Sequence, residues 1–202
     1  MKTLGITGSI GMGKTVTAAM FKEAGIPVYD ADAAVHDLYQ RDGAAVLPLS
    51  KRFDGIVKNG AIDRSALREH VLSDKKNMSD LEAIVHPLVA QAQIEFIGMA
   101  KVSGAKLAVL DIPLLFETGG NQRCDYTLVV TAPKTVQRAR VLARDGMTEE
   151  AFEAILAKQM PDSNKRALAD FIISTAFGFD FTRACVQAII TLFSDPAEGL
   201  DL

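Results

Sequence analysis

The feature that most constrains this chain lies at its start. Residues 8–15 read GSIGMGKT, a GxxxxGK[ST] pattern that follows the apolar run TLGIT (3–7) and precedes a helical pattern. Phosphate oxygens need several N–H donors converging at short range. Glycines let the backbone turn tightly with no Cβ in the way, and the following helix points its positive end at the same spot. The motif requires a strand before it and a helix after it, and both patterns are present. A chance glycine-rich strand–helix turn is the competing reading. Gly8, Gly11, Met12, Gly13, Lys14, Thr15 and Val16 are the candidate phosphate- and nucleotide-binding residues. In this motif a lysine at position 14 bridges β- and γ-phosphates, and a hydroxyl at Thr15 ligates Mg2+.

Around the loop, the pattern is that of an α/β chain. TLGIT, KLAVLDI (106–112) and YTLVV (126–130) read as buried strands, with IPVYD (26–30) and FII (171–173) as weaker ones. Helical stretches separate them. PKTVQRARVLARD opens on Pro133, and TEEAFEAILAKQM starts on Thr148 as N-cap and stops before Pro161. DFTRACVQAIITLF makes an apolar-striped last helix, and DPAEGLDL at the end has the composition of a frayed tail. Alternating strands and helices predict a parallel β-sheet covered on both faces. Residues 42–104 differ: DRSALREHVLSD and SDLEAIVHPLVAQAQIEFIGMA are helical in pattern, with no convincing strand. This region reads as a helical insertion into a single domain spanning 1–202, whose core is 1–41 and 105–202.

Bulk properties remove several classes. The formal charge of −3 gives no support for a nucleic-acid binder. Two cysteines without a CxxC fit neither a disulfide framework nor a zinc site, and the three histidines share no metal-ligand spacing. The apolar start is too short for a signal peptide, and no stretch reads as long enough to cross a membrane. The expectation is a cytoplasmic protein with no membrane or nucleic-acid partner, a monomer or at most a weak oligomer.

Four further groups could carry chemistry. YDAD places Asp30 and Asp32 at the end of a strand candidate, where ligands of open α/β sheets bind. One of them could hold a hydroxyl for attack while the other caps the next helix, and the residues alone do not say which. AVLDIPLLFE ends a strand on Asp111, the kind of acid that helps hold Mg2+. No glutamate follows it directly, unlike in motor ATPases, and Glu117 can only line the site. Arg138, Arg140 and Arg144 lie on one predicted helix, with Arg140 and Arg144 sharing a face; they could neutralise phosphate charge or simply be solvated. His86-Pro87 sits in the insertion, where a proline breaks or restarts a helix and would present His86 at the break. His36 and His70 receive no role. A GTPase reading fades, because SNKRALAD has Ala167 where a guanine-reading Asp belongs and DIPLL is not DxxG.

Taken in order, ITGSIGMGKT, GIPVYDADAAVHDL, AIDRSALREHV, LEAIVHPLV, VLDIPLLFE, RARVLARDGMTEEAFEAILAKQM and RALADFII resemble the dephospho-CoA kinase family over residues 4 to 173 or so. The resemblance implies the P-loop nucleoside-triphosphate hydrolase fold, with a helical acceptor-binding insertion and a helical lid at 139–160. It implies ATP and Mg2+ as cofactors and dephospho-CoA as acceptor. Asp32 would take the proton from the ribose 3′-hydroxyl, supported by Asp30. Lys14 and Arg140 would act on the transferring phosphoryl group, Arg144 would stand nearby, and Thr15 and Asp111 would hold the metal. His86, Pro87, Leu114 and Glu117 would line the acceptor site. The chain departs from the family pattern at Ser174-Thr175, where many members place an acid and an asparagine near the adenine. Another small-molecule kinase of the same fold, or a nucleotide-binding regulator without turnover, is the alternative.

Overall fold

The computed structural model describes residues 1–194, and the expected frayed tail DPAEGLDL lies outside them. The chain forms two compact units: Met1–Tyr29 with the residues from Ala100 on, and Asp30–Met99. In chain order the elements are β1 (Lys2–Thr7), α1 (Lys14–Glu23), β2 (Val28–Asp30), α2 (Ala31–Tyr39), α3 (Val46–Arg52), β3 (Val57–Lys58), β4 (Ala61–Ile62), α4 (Arg64–Ser73) and α5 (Lys75–Val102). They continue with β5 (Leu107–Asp111), β6 (Tyr126–Thr131), α6 (Lys134–Leu142), α7 (Glu149–Leu156), α8 (Asp162–Leu168), β7 (Phe171–Ser174) and α9 (Phe179–Ser194).

The first unit is built on a five-stranded sheet in the order β2-β5-β1-β6-β7, and the β1–β5, β1–β6 and β6–β7 ladders are parallel. Parallel neighbours cannot be joined by a tight turn, so helices carry the connections. The five strands are those expected from the sequence, with ends moved by one or two residues. Leu4 and Ile6 of β1, Leu107 and Val109 of β5, Leu128 and Val130 of β6 and Ile173 of β7 form one core. Ala18, Met20 and Phe21 of α1 and Val186, Ile189 and Ile190 of α9 cover it. Phe21 has no exposed surface, and truncating such a side chain to alanine costs about 3–5 kcal/mol. The ladder register matters for the site: Ile6 pairs with Asp111, so β5 ends in an acid beside the residue pair that leads into the loop.

The second unit has its own core, made by Tyr39 of α2, Leu49 of α3, Ile56, Leu67 and Val71 of α4, and Val85 of α5. Helix α2, which the 1–41 division counts with the nucleotide core, contributes to it. One strand pair was not expected here. β3 and β4 form an antiparallel hairpin, with Val57 opposite Ile62 and Lys58 opposite Ala61. Its two-residue turn is Asn59-Gly60, with φ of 55° and 81°, the residue pair that type I′ hairpin turns favour. The strands are two residues each and lack the apolar alternation that marks longer ones.

Pro87 does not break its helix. α5 runs 28 residues through it, although proline cannot donate to the turn behind it. Leu81, Ile84, Leu88 and Val89 on either side pack against the core and hold the helix together. His86 is therefore not presented at a break, and both residues lie exposed on a continuous helix. The same helix corrects the reading that no stretch reaches membrane-spanning length: an 18-residue window in Lys75–Val102 has a mean hydropathy of 1.2. One helix of this kind is a weak indication of a membrane, since helices of ordinary globular units pass the same measure.

Candidate active site

The loop 8–13 is shaped by its neighbours. Gly11 and Gly13 take φ of 78° and 95°, left-handed backbone that side chains with a Cβ rarely adopt. Gly13 caps α1 without any side-chain hydrogen bond. The first-turn N–H groups of α1 thus have no intrahelical acceptor and no capping side chain, and the helix dipole points out of the same end. Met12 N–H closes the turn on Ser9 O at 3.1 Å, and Thr17 Oγ1 donates to Gly13 O at 3.1 Å. Val16 and Thr15 are exposed beside the loop.

Lys14 Nζ donates to Asp111 Oδ1. The lysine side chain is 16% exposed and the aspartate 7%, so this pair stands in partly desolvated surroundings at the end of β5. Beyond Asp111 the chain turns through Leu114, which is exposed, to Glu117. Glu117 is engaged by protein groups: its Oε1 accepts from Met160 N–H at 2.8 Å and lies 2.8 Å from Lys165 Nζ, a lysine with no exposed side-chain surface. Burial works against the charge on Glu117. The Lys165 ammonium and the Met160 N–H outweigh it and hold the carboxyl below its ordinary range. This tie joins the segment after β5 to the segment after α7.

The arginines separate. Arg138 reaches away to pair with Glu149 at the start of α7, with Nε to Oε1 at 2.9 Å. Arg140 donates to Thr175 Oγ1 at 2.7 Å and to Thr175 O at 3.0 Å, while Thr175 Oγ1 donates to Met12 O at 2.8 Å. Thr175, where the chain departs from the family pattern, is thus the peg between Arg140 and the loop. Arg144 does not share a helix face with Arg140, because α6 ends at Leu142. The following turn still brings it to the same cavity of about 250 Å³, which Gly11, Gly13, Val16, Arg140, Thr175 and Phe179 also line. Thr175 was singled out by sequence only as a departure from the family pattern, and Phe179 not at all, since neither belongs to a motif with its own chemistry.

Asp30, Asp32, His86 and Pro87 belong to the second unit. There the two acids divide their roles. Asp30 is the N-cap of α2, with Oδ1 accepting from Ala33 N–H at 2.9 Å. Asp32 lies exposed in the first turn, and no hydrogen bond to it is present among the described residues. Of the pair left open by the sequence, Asp30 is the cap and Asp32 the uncommitted carboxylate.

A parallel sheet with this loop at the end of its first strand, a lysine on the acid of the neighbouring strand and an arginine over the loop define a P-loop phosphotransferase. The family model for dephospho-CoA kinase matches residues 2–178. A dephospho-CoA kinase of Mesorhizobium japonicum is 55% identical over 190 residues, 94% of this chain and 95% of that protein. Among solved structures, one from Thermus thermophilus aligns with a TM-score of 0.82 at 34% identity, covering 95% of this chain and 96% of that one. The dephospho-CoA kinase from Campylobacter jejuni aligns with a TM-score of 0.73 at 27% identity, covering 95% and 97%. The chain belongs to the dephospho-CoA kinase family.

Proposed function

We propose that this chain transfers the γ-phosphoryl group of ATP to the ribose 3′-hydroxyl of dephospho-CoA, giving CoA and ADP. The observation that carries the phosphoryl-transfer part is the uncapped, glycine-led start of α1 with Lys14 directed onto Asp111. The acceptor rests on family membership. The triphosphate lies on residues 8–15, where the open N–H groups and Lys14 offset its charge. Arg140, held on Thr175, supplies a second positive charge toward the phosphoryl group. The cavity beside it receives the base, with the exposed Phe179 ring and Arg144 at its rim. Asp32 orients the 3′-hydroxyl and accepts its proton. Asp30 supports it by fixing the first turn of α2, and His86, Pro87 and Leu114 contribute to the acceptor side. Glu117 acts as a tie for the segment at Met160.

The oxygen donors Thr15 and Asp111 suit Mg2+, which takes few protein ligands and completes its shell with phosphate and water oxygens. Bound there, the ion would neutralise charge between the phosphates. Residues 139–160 serve as a lid that excludes water, a competing acceptor. The protein works in the cytoplasm, in keeping with free thiols at Cys124 and Cys185, as a monomer or at most a weak oligomer. The test is an acceptor panel: purified protein with ATP and dephospho-CoA, with AMP, adenosine, shikimate and pantothenate as rivals. CoA and ADP formed in equal amounts are expected. Phosphorylation of a rival in place of dephospho-CoA overturns the assignment, and tight ATP binding without turnover on any acceptor points to a regulator.

A further inference from the structure

Both backbone groups of Ile10, in the middle of the loop, are taken by glutamine side chains. Its N–H donates to Gln159 Oε1 at 3.1 Å, and its carbonyl accepts from Gln137 Nε2 at 2.8 Å. Chemistry fixes which end of each amide faces Ile10, since an N–H needs an oxygen and a carbonyl needs an NH2. Gln137 is buried on α6, and Gln159 follows the end of α7. The two residues therefore bracket the segment 138–158, which carries Arg140 and the whole of α7. The adjoining residue is pressed by the same helix: a Cβ on Gly11 would lie 2.5 Å from Val141 Cγ2 and 3.0 Å from Gln137 O. Neither glutamine belongs to a recognised phosphate-binding motif, and neither is placed among the candidate ligands above.

We infer that Gln137 and Gln159 are positioning residues for the phosphate loop. Together they hold the two peptide groups that flank the Ile10 Cα and, through them, the direction of the N–H groups that follow. The inference rests on the proposed ATP site and adds a mechanical role to it. A loop held in its binding shape loses less conformational freedom when the triphosphate arrives. Because the two clamps come from opposite ends of the proposed lid, the lid and the loop behave as one linked part. Removing either clamp frees one of the two peptide groups and lets Ile10 turn, so removing the second frees little more.

The test uses the full chain with Gln137→Met, Gln159→Met and the double variant. Methionine keeps the length and fills the space but makes no comparable hydrogen bond. ATP is varied at saturating dephospho-CoA and the reverse, with melting temperatures alongside. Each single variant should raise the ATP KM about five- to tenfold, the size of one lost hydrogen bond, while the dephospho-CoA KM stays within about twofold. The double variant should be no worse than the weaker single, because both act on the same residue and the orientation of Ile10 needs both. Lower melting temperature with unchanged ATP KM, equal rises in both KM values, or losses that multiply in the double variant would each overturn the inference. Calorimetric ATP binding on the same proteins needs no acceptor. If dephospho-CoA proves not to be phosphorylated, the site assignment fails while this measurement still decides the clamp.

Discussion

Two helices of this chain begin at the carboxyl end of a strand of the same sheet, and they begin in opposite ways. α1 starts on Gly13, at φ 95° and ψ 14°, with no side-chain cap. α2 starts on Asp30, at φ −107° and ψ 111°, with its carboxylate closed onto Ala33 N–H. The first helix leaves its positive end to be satisfied by an external anion. The second satisfies itself, and so frees the acid two residues further in, Asp32, from capping. On the proposed reading, self-capping gives Asp32 a rigid base and the uncapped start of α1 receives phosphate.

The contrast can be broken at several points, the largest effect coming first. Asp32→Asn should lower kcat by about 10²- to 10⁴-fold, the usual range for a lost general base, with ATP affinity retained. Unchanged turnover in a coupled ADP assay removes Asp32 from that role. Lys14→Ala should cost about 10²- to 10³-fold in kcat, comparable to losing one preorganised electrostatic donor, and should weaken ATP binding as well. Full activity in that variant would end the phosphate-loop reading.

Asp30→Ala should lower stability by about 1 kcal/mol, the usual worth of an N-cap, and Asp30→Ser should restore most of it. Urea unfolding reads this, and no difference between the two variants would show that the cap carries no weight. The last effect is read as a pH dependence and concerns Glu117, a carboxylate held by Lys165 and by the Met160 N–H. Its folded carboxyl lies below its ordinary range, so the unfolded chain binds the proton more readily. Its contribution is complete above about pH 4.3 and is lost as pH falls through the folded value. Melting temperature followed from about pH 6 to about pH 3 should fall on the acid side, and less steeply in Glu117→Gln, a variant less stable at neutral pH because Lys165 loses its partner.

Much of this was legible beforehand for physical reasons. Buried parallel strands are continuous apolar runs, so Leu4–Thr7 and Leu107–Asp111 stand out. The loop is legible because its geometry demands glycine, as φ at Gly11 and Gly13 confirms. The Asn59-Gly60 hairpin carried a legible turn signal, and its strands were too short to give a second one. Pro87 misled because a local rule about proline was overridden by packing along α5. The Thr175 peg and the two glutamine clamps join residues more than a hundred positions apart, and nothing local marks them.

The sequence by itself determined the chemistry on offer: a strand–loop–helix that can hold phosphates, an acid ending the neighbouring strand, two acids in YDAD, and the family these belong to. Each of those depends on residue type at short spacing, which local backbone geometry converts directly into structure. Only the tertiary structure decided how they are used. It made Asp30 the cap and left Asp32 free, ended α6 before Arg144, tied Glu117 to Lys165, and set Arg140 and Ile10 on side chains distant in the chain. Those choices turn on which long-range partner arrives within hydrogen-bond reach, and only the packed sheet and helices fix that.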